Sequence, residues 1–184
     1  VAIAGGTAVT SAGAKDFRFA HSADISGVDP QSNSIKNTTT FLENIYESLV
    51  KYDDNLKLAP QLATSWTVNE DATVWRFNLR KGVKFSNGNA FNADDVIFSW
   101  QRQSTTECPM NFVYQGVTGA RKIDDFTVEF TTAAPNPILL NALTSGYMLD
   151  KEWTTQIGSE KCIGASADTV NPANVQAMGT GPFM

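Results

Sequence analysis

The chain has 184 residues, a formal net charge of -5 and a hydrophobic share of 42%. That share supports a packed core in one domain or two small ones and excludes a disordered chain. The 14 Lys and Arg are scattered, which argues against a nucleic-acid partner, and the single histidine, His21, leaves little for imidazole-based metal or acid–base chemistry.

Residues 1–14 are small, uncharged and mildly apolar, and they end in Ala12-Gly13-Ala14. This fits the remnant of a secretory signal peptide with an A-x-A cleavage site, leaving Lys15 to begin the mature chain; a flexible tail is the alternative. No stretch is long enough to span a membrane. The residue directly after the cleavage site is Lys15 rather than a cysteine, so a lipid anchor is not expected, and the reading is of an exported, soluble protein. Export permits the two cysteines, Cys108 and Cys162, to pair. Closing so long a loop would contribute about 4 kcal/mol in the chain-entropy model. Two separate buried thiols are the alternative.

In chain order, Asp16–Ala23 alternates, with Phe17 and Phe19 on one face, and predicts a strand. A Ser-, Asp- and Gly-rich loop follows to Gln31, with Asp29-Pro30 as a turn. Thr40 and Glu43 have capping-box spacing, and Phe41, Ile45 and Leu49 continue an apolar stripe that predicts a helix to about Val50. Asp53-Asp54-Asn55 is a turn, and Pro60–Ala63 reads as a short helical step or loop. Trp66–Val68 predicts a strand and Asn69–Ala72 a turn. Val74–Arg80 alternates cleanly, with Trp75, Phe77 and Leu79 on one face. Val83–Phe85 reads as a short strand closed by Ser86-Asn87-Gly88. Asn92 caps a helix whose first turn carries Asp94 and Asp95 and whose core side carries Val96, Ile97 and Trp100. Ser104–Ala120 reads as irregular. Arg121–Ile123 and Phe126–Thr131 flank Asp124-Asp125 as a hairpin. Pro135 and Pro137 frame the start of a helix with Ile138, Leu139, Leu140 and Leu143, and Gly158–Val175 is loop-like.

None of the residues that could carry chemistry forms a catalytic pattern. The pairs Asp53-Asp54, Asp94-Asp95 and Asp124-Asp125 sit where turns and helix starts favour Asp for structural reasons. Cys108 and His21 lie in no nucleophile motif, and one His with two distant Cys cannot build a standard zinc site. Gly179-Thr180-Gly181 lacks the remaining residues of a phosphate loop, so its glycines are read as allowing close backbone packing or a bend. No cofactor is expected.

Five stretches, in this order, carry a resemblance: L-A-P-Q-L-A-T-S-W (58–66), W-R-F-N-L-R-K-G-V-K-F-S-N-G (75–88), F-N-A-D-D-V-I-F-S-W (91–100), K-I-D-D-F-T-V-E-F (122–130) and G-T-G-P-F (179–183). Together they resemble the peptide/nickel-type solute-binding proteins of ABC transporters, extracellular family 5, which include dipeptide- and oligopeptide-binding proteins. The resemblance implies an α/β (mixed α+β) fold: a periplasmic-binding-protein type II-like lobe, incomplete, with an inserted α+β subdomain. Residues 15–50 would begin lobe one, 51–171 would form the inserted subdomain, and 172–184 would be the strand returning to lobe one. A second lobe, and the acidic residue that usually meets a peptide's amino terminus, would lie outside this chain.

The implied function is capture of short peptides or peptide-like solutes in the periplasm and delivery to an ABC permease complex in the inner membrane, without catalysis. An enzyme, or a ligand-sensing regulator or chaperone, built on the same lobe is the alternative. The family match places Ser22, Ala23 and Asp24 in the loop approaching the ligand. It places Ser34 and Lys36 where some members line a first side-chain pocket, and it makes Phe112 or Tyr114 the aromatic reaching the cleft.

Overall fold

A computed structural model describes residues 25–164 and 171–183. The signal-peptide reading, the strand expected at 16–23 and His21 lie outside the described residues. After a buried polar turn at Asp29–Asn33, the first helix, α1, runs Lys36–Leu42. It ends near where a helix starting at Thr40 was expected to begin. Thr39 and Thr40 sit within it, their hydroxyls donating to the Lys36 carbonyl at 2.9 and 3.0 Å. Beyond Glu43 the backbone is claimed from outside. Gly181 N–H donates to the Ile45 carbonyl at 2.8 Å, Met148 N–H to Glu47 at 2.9 Å, and Leu62 N–H to Ser48 at 3.1 Å. A continued helix would use those carbonyls internally, so long-range pairing overrides the local periodicity. Of the expected apolar stripe, Ile45 and Leu49 are buried, as are Leu42 and Tyr46 beside them, each 5% exposed or less, whereas Phe41 is 39% exposed.

Strands β1 (Val50–Tyr52) and β2 (Leu58–Pro60) form a small antiparallel pair around the Asp53 turn. Asp53 Oδ1 accepts the N–H groups of Asn55 and Lys57 at 2.8 and 2.9 Å. Pro60 ends β2 and Ala63 begins the next strand, so the stretch expected as a helical step or loop is a bend at Gln61 and Leu62, with Gln61 and Ala63 N–H both donating to the Leu49 carbonyl. Strands β3 (Ala63–Val68) and β4 (Val74–Leu79) follow, then α2 (Ala93–Gln103), then β5 (Val117–Asp124) and β6 (Thr127–Thr132). They build an antiparallel four-stranded sheet in the order β3-β4-β6-β5. The expected strand at Val83–Phe85 reduces to one bridge between Lys84 and Ala90. The Ser104–Ala120 stretch holds a 3-10 turn at Asn111–Tyr114 and the start of β5.

The alternation in β4 decides the layering. Trp75, Phe77 and Leu79 are buried while Arg76 and Asn78 face solvent. Phe77 meets Phe130 edge-on at 5.8 Å between ring centroids, and α2 covers that face with Val96 and Trp100, the indole lying 6.4 Å from Phe130. The start of α2 is a complete capping box. Asn92 Oδ1 accepts Asp94 N–H at 2.7 Å, and Asp95 Oδ2 accepts Asn92 N–H at 2.9 Å.

Two short helices, α3 (Leu139–Leu143) and α4 (Lys151–Gln156), close the core. Asp150 caps α4 by accepting Trp153 N–H at 3.0 Å, and its other oxygen accepts the Asn87 and Asn89 amides at 2.7 and 2.8 Å. The glycines near the C-terminus have a steric reason. A Cβ on Gly179 would stand 1.9 Å from the Ile45 carbonyl oxygen, and one on Gly181 would stand 2.7 Å from the carbonyls of Asn44 and Ile45.

Candidate functional site

The segment Asp29–Lys36 changes character within a few residues. Asp29, Gln31, Ser32 and Asn33 are 5% exposed or less, whereas Ile35 is 56% exposed and Ser34 and Lys36 lie open beside it. The buried half is held by Arg102, in the last turn of α2. Its guanidinium donates to both carboxylate oxygens of Asp29, at 3.2 and 2.5 Å, and to the Gln31 side-chain carbonyl at 2.8 Å. Its Nε donates to the Ser159 carbonyl at 2.8 Å. Both partners of the ion pair are buried, with side chains 1% and 0% exposed. Such a pair persists only when all its hydrogen-bonding capacity is met. Gln31 meets its share by donating to the carbonyls of Ser99 and Tyr147 at 3.1 and 3.2 Å.

Cys108 and Cys162 form a disulfide across 54 residues, as export chemistry led us to expect. Both sulfurs contact the Gln31 carbonyl oxygen, at 3.2 and 3.4 Å. Asn171, at the start of a 3-10 turn over Pro172–Asn174, bonds Ser159 Oγ at 2.5 Å, and Asn174 accepts from Ser32 Oγ at 2.7 Å. Segments far apart in sequence thus converge behind Ser34 and Lys36. The Asn33 side chain sets the exit from the hub, accepting Ile35 N–H at 2.8 Å.

Among the expected ligand residues, Ser22, Ala23 and Asp24 lie outside the described residues. Ser34 and Lys36 are exposed together at the start of α1. Phe112 is 54% exposed at a shallow depression of about 440 Å³ that also involves Ser104, Asn111 and Gln115. Tyr114 is 3% exposed, with its ring tilted against Phe130 at 5.9 Å, and its hydroxyl has no hydrogen-bond partner. Burial pushes that hydroxyl's pKa well above the ordinary tyrosine range. Phe112 lies four residues after Cys108 and Ser34 three residues after Gln31, and the two segments meet where the Cys108 sulfur touches the Gln31 carbonyl.

A second depression, of about 420 Å³, lies between Glu43, Lys51, Gln61 and Tyr147. Tyr147 Oη donates to Glu43 Oε1 at 3.3 Å, and burial together with that carboxylate raises its pKa.

The carboxylate pairs have structural employment. Lys122 bridges Asp94 and Asp125 at 2.7 Å each. Asp53 and Asp124 hold turns, the latter by accepting Phe126 N–H at 2.8 Å. Asp95 is 4% exposed, and burial raises its pKa to about 6, opposed by the backbone N–H groups of Lys151 and Asn92 that it accepts. Its position at the head of α2 makes it a capping carboxylate. Among the described residues, no three His, Cys, Asp or Glu gather as metal ligands, and no helix is long and apolar enough to cross a membrane. Sequence reasoning missed Arg102, Gln31 and Asp150 as organisers. The Asp29-Pro30-Gln31 turn was visible, but nothing local announces its partner 73 residues away.

The mixed α/β lobe, with its antiparallel sheet, the capped helix against it and the glycine-dependent return toward the first helix, is shared with solved periplasmic binding proteins. The chain belongs to the bacterial extracellular solute-binding proteins, family 5, whose model matches residues 57–184. It is 29% identical over 202 residues to the dipeptide-binding protein of Escherichia coli K12, a match covering 96% of this chain and 36% of that protein. The structure is similar to the ABC transporter-associated periplasmic binding protein DppA from Helicobacter pylori in complex with peptide STSA. That similarity has a TM-score of 0.71 and 28% identity, covering 88% of this chain and 34% of that one. It is also similar to NikZ from Campylobacter jejuni in complex with Ni(L-His), with a TM-score of 0.72 and 25% identity, covering 87% and 30%. The chain spans about a third of the length of these relatives.

Proposed function

We propose that this chain is part of the solute-binding component of an ABC importer, which captures short peptides or peptide-like solutes in the periplasm and passes them to a membrane permease. Family membership carries the reading, supported by a dipeptide-binding relative and a similar structure bound to a peptide. Residues 15–50 and 172–184 would belong to the ligand-facing lobe and 51–171 to the subdomain beside it. Ser34, Lys36 and Phe112, with Ser22, Ala23 and Asp24, would face the solute; Tyr114 would support Phe112 from the core. Binding in this class proceeds by closure of one lobe on another, with the closed state selected by the ligand. The protein would act without chemistry on its cargo.

The test is thermal and calorimetric titration of the whole protein with panels of di- to pentapeptides. A bound peptide at 100 times its Kd should stabilise the protein by about 2.7 kcal/mol. If no peptide shifts the melt while an unrelated solute class does, the peptide reading is overturned.

A further inference from the structure

We propose that the Cys108–Cys162 bridge and Arg102 form a positioning brace that fixes Ser34 and Lys36 for the solute, so that opening the bridge loosens this segment without unfolding the sheet. The inference rests on the reading above for what Ser34 and Lys36 face, but not for the brace itself. Three observations carry the brace. Both sulfurs touch the carbonyl of Gln31, three residues before Ser34. Arg102 holds the same turn from the other side through Asp29 and the Gln31 side chain, and it reaches the Ser159 and Lys161 carbonyls on the segment that carries Cys162. Exposure then jumps from 5% at Asn33 to 56% at Ile35, so a rigid base presents a short open edge.

The arrangement is also asymmetric. The bridge ties the loop after α2 to the 158–164 segment, and neither end lies in the four-stranded sheet. Losing it therefore removes a constraint on the Asp29–Lys36 segment while the ladder of β3, β4, β6 and β5 stays paired. Binding geometry depends on such supporting contacts, because a loosened segment must be ordered again when the ligand binds.

The test compares amide hydrogen exchange in the whole protein, wild type against C108A/C162A. The Gln31 and Ile35 amides, which donate to Asp29 Oδ1 and Asn33 Oδ1, should exchange at least about tenfold faster in the variant, with the amides of β4 and β6 unchanged. Arg102→Lys, which keeps the charge but loses the fork, should give the same pattern if the double variant does not fold. Equal acceleration everywhere would reduce the bridge to general stability and overturn the proposal, as would no change at Ile35. Titration with tri-alanine separates the two readings. If wild type binds it and Lys36→Met weakens binding, opening the bridge should weaken it by about tenfold, and adding Lys36→Met should then cost less than it does alone. Fully additive losses would overturn the coupling. Wild type that binds the peptide with no effect of Lys36→Met would remove the assigned role of Lys36 and leave the exchange result to decide the brace.

Discussion

The four-stranded sheet and the Asp29–Lys36 segment are stabilised by different physics. In the sheet, neighbouring residues state the fold: every second side chain of β4 is buried, and its strand partners are β3 and β6 on either side. In the Asp29–Lys36 segment, the buried side chains are mostly polar, and Asp29, Gln31 and Ser32 find partners 68 to 142 residues away. An apolar face tolerates the loss of one contact gradually. A buried ion pair does not, because removing one charge leaves the other desolvated and unpaired. The two regions should therefore respond differently to single substitutions.

The largest difference is expected at Arg102. Arg102→Ala strands the Asp29 carboxylate and frees the Ser159 carbonyl, and should cost about 3–5 kcal/mol in urea unfolding. A loss below about 1 kcal/mol would mean that the hub is not where the segment's stability resides. Gly179→Ala comes next. The added methyl must displace the Ile45 carbonyl and with it the 2.8 Å bond from Gly181, so about 3 kcal/mol is expected. An unchanged urea midpoint for that variant would contradict the close approach.

Asp95, at the opposite end of α2 from Arg102, allows a test through pH. Its folded pKa of about 6 lies above the ordinary 3.8, so between those values the folded state holds a proton that the unfolded state has lost. Stability from this group is therefore present at low pH and is lost as pH rises through about 6. The difference between pH 4.5 and 6.5 should be about 2 kcal/mol, with the protein less stable at the higher pH. Asp95→Asn cannot ionise, so its stability difference from wild type should change by that amount across the window. Parallel curves would show that the carboxyl ionises normally in the folded protein.

This contrast also explains what the sequence allowed one to read. The β4 alternation, the Asn92 cap, the Asp124-Asp125 hairpin and the packing role of Gly179 and Gly181 follow from local rules, and the structure agrees. The helix expected from Thr40 to Val50 fails because Ile45, Glu47 and Ser48 give their carbonyls to Gly181, Met148 and Leu62, a competition invisible in a window of ten residues. At Pro60–Ala63 the loop alternative holds over the helical step for the same reason, since the Leu49 carbonyl recruits the Gln61 and Ala63 amides. For the candidate site, Ser34 and Lys36 were reached through family resemblance alone. Composition does not distinguish an exposed serine on a buried platform from one in an ordinary turn. Arg102 was hidden because it reads as the basic last turn of α2, where a solvated cation is the ordinary expectation.

The smallest effect is expected on the outer face of the sheet. Glu129 lies opposite Arg76 on one side and Arg121 on the other, and accepts from them at 2.8 and 2.7 Å. The Arg76 hydrogen bond, with Arg121 adding to it, holds its carboxyl below the ordinary range. The carboxylate is 7% exposed, but Arg121 is 66% exposed, so water already solvates most of that guanidinium. Arg121→Ala leaves the bond from Arg76 in place, and Glu129 stays paired. The loss should be under about 1 kcal/mol and should shrink further in 1 M salt. Arg102→Ala, by contrast, removes the guanidinium paired with a fully buried carboxylate, and salt should leave that loss nearly unchanged. If Arg121→Ala matched Arg102→Ala in size and in insensitivity to salt, burial would not be what separates the two ion pairs, and the distinction between sheet and hub would fail.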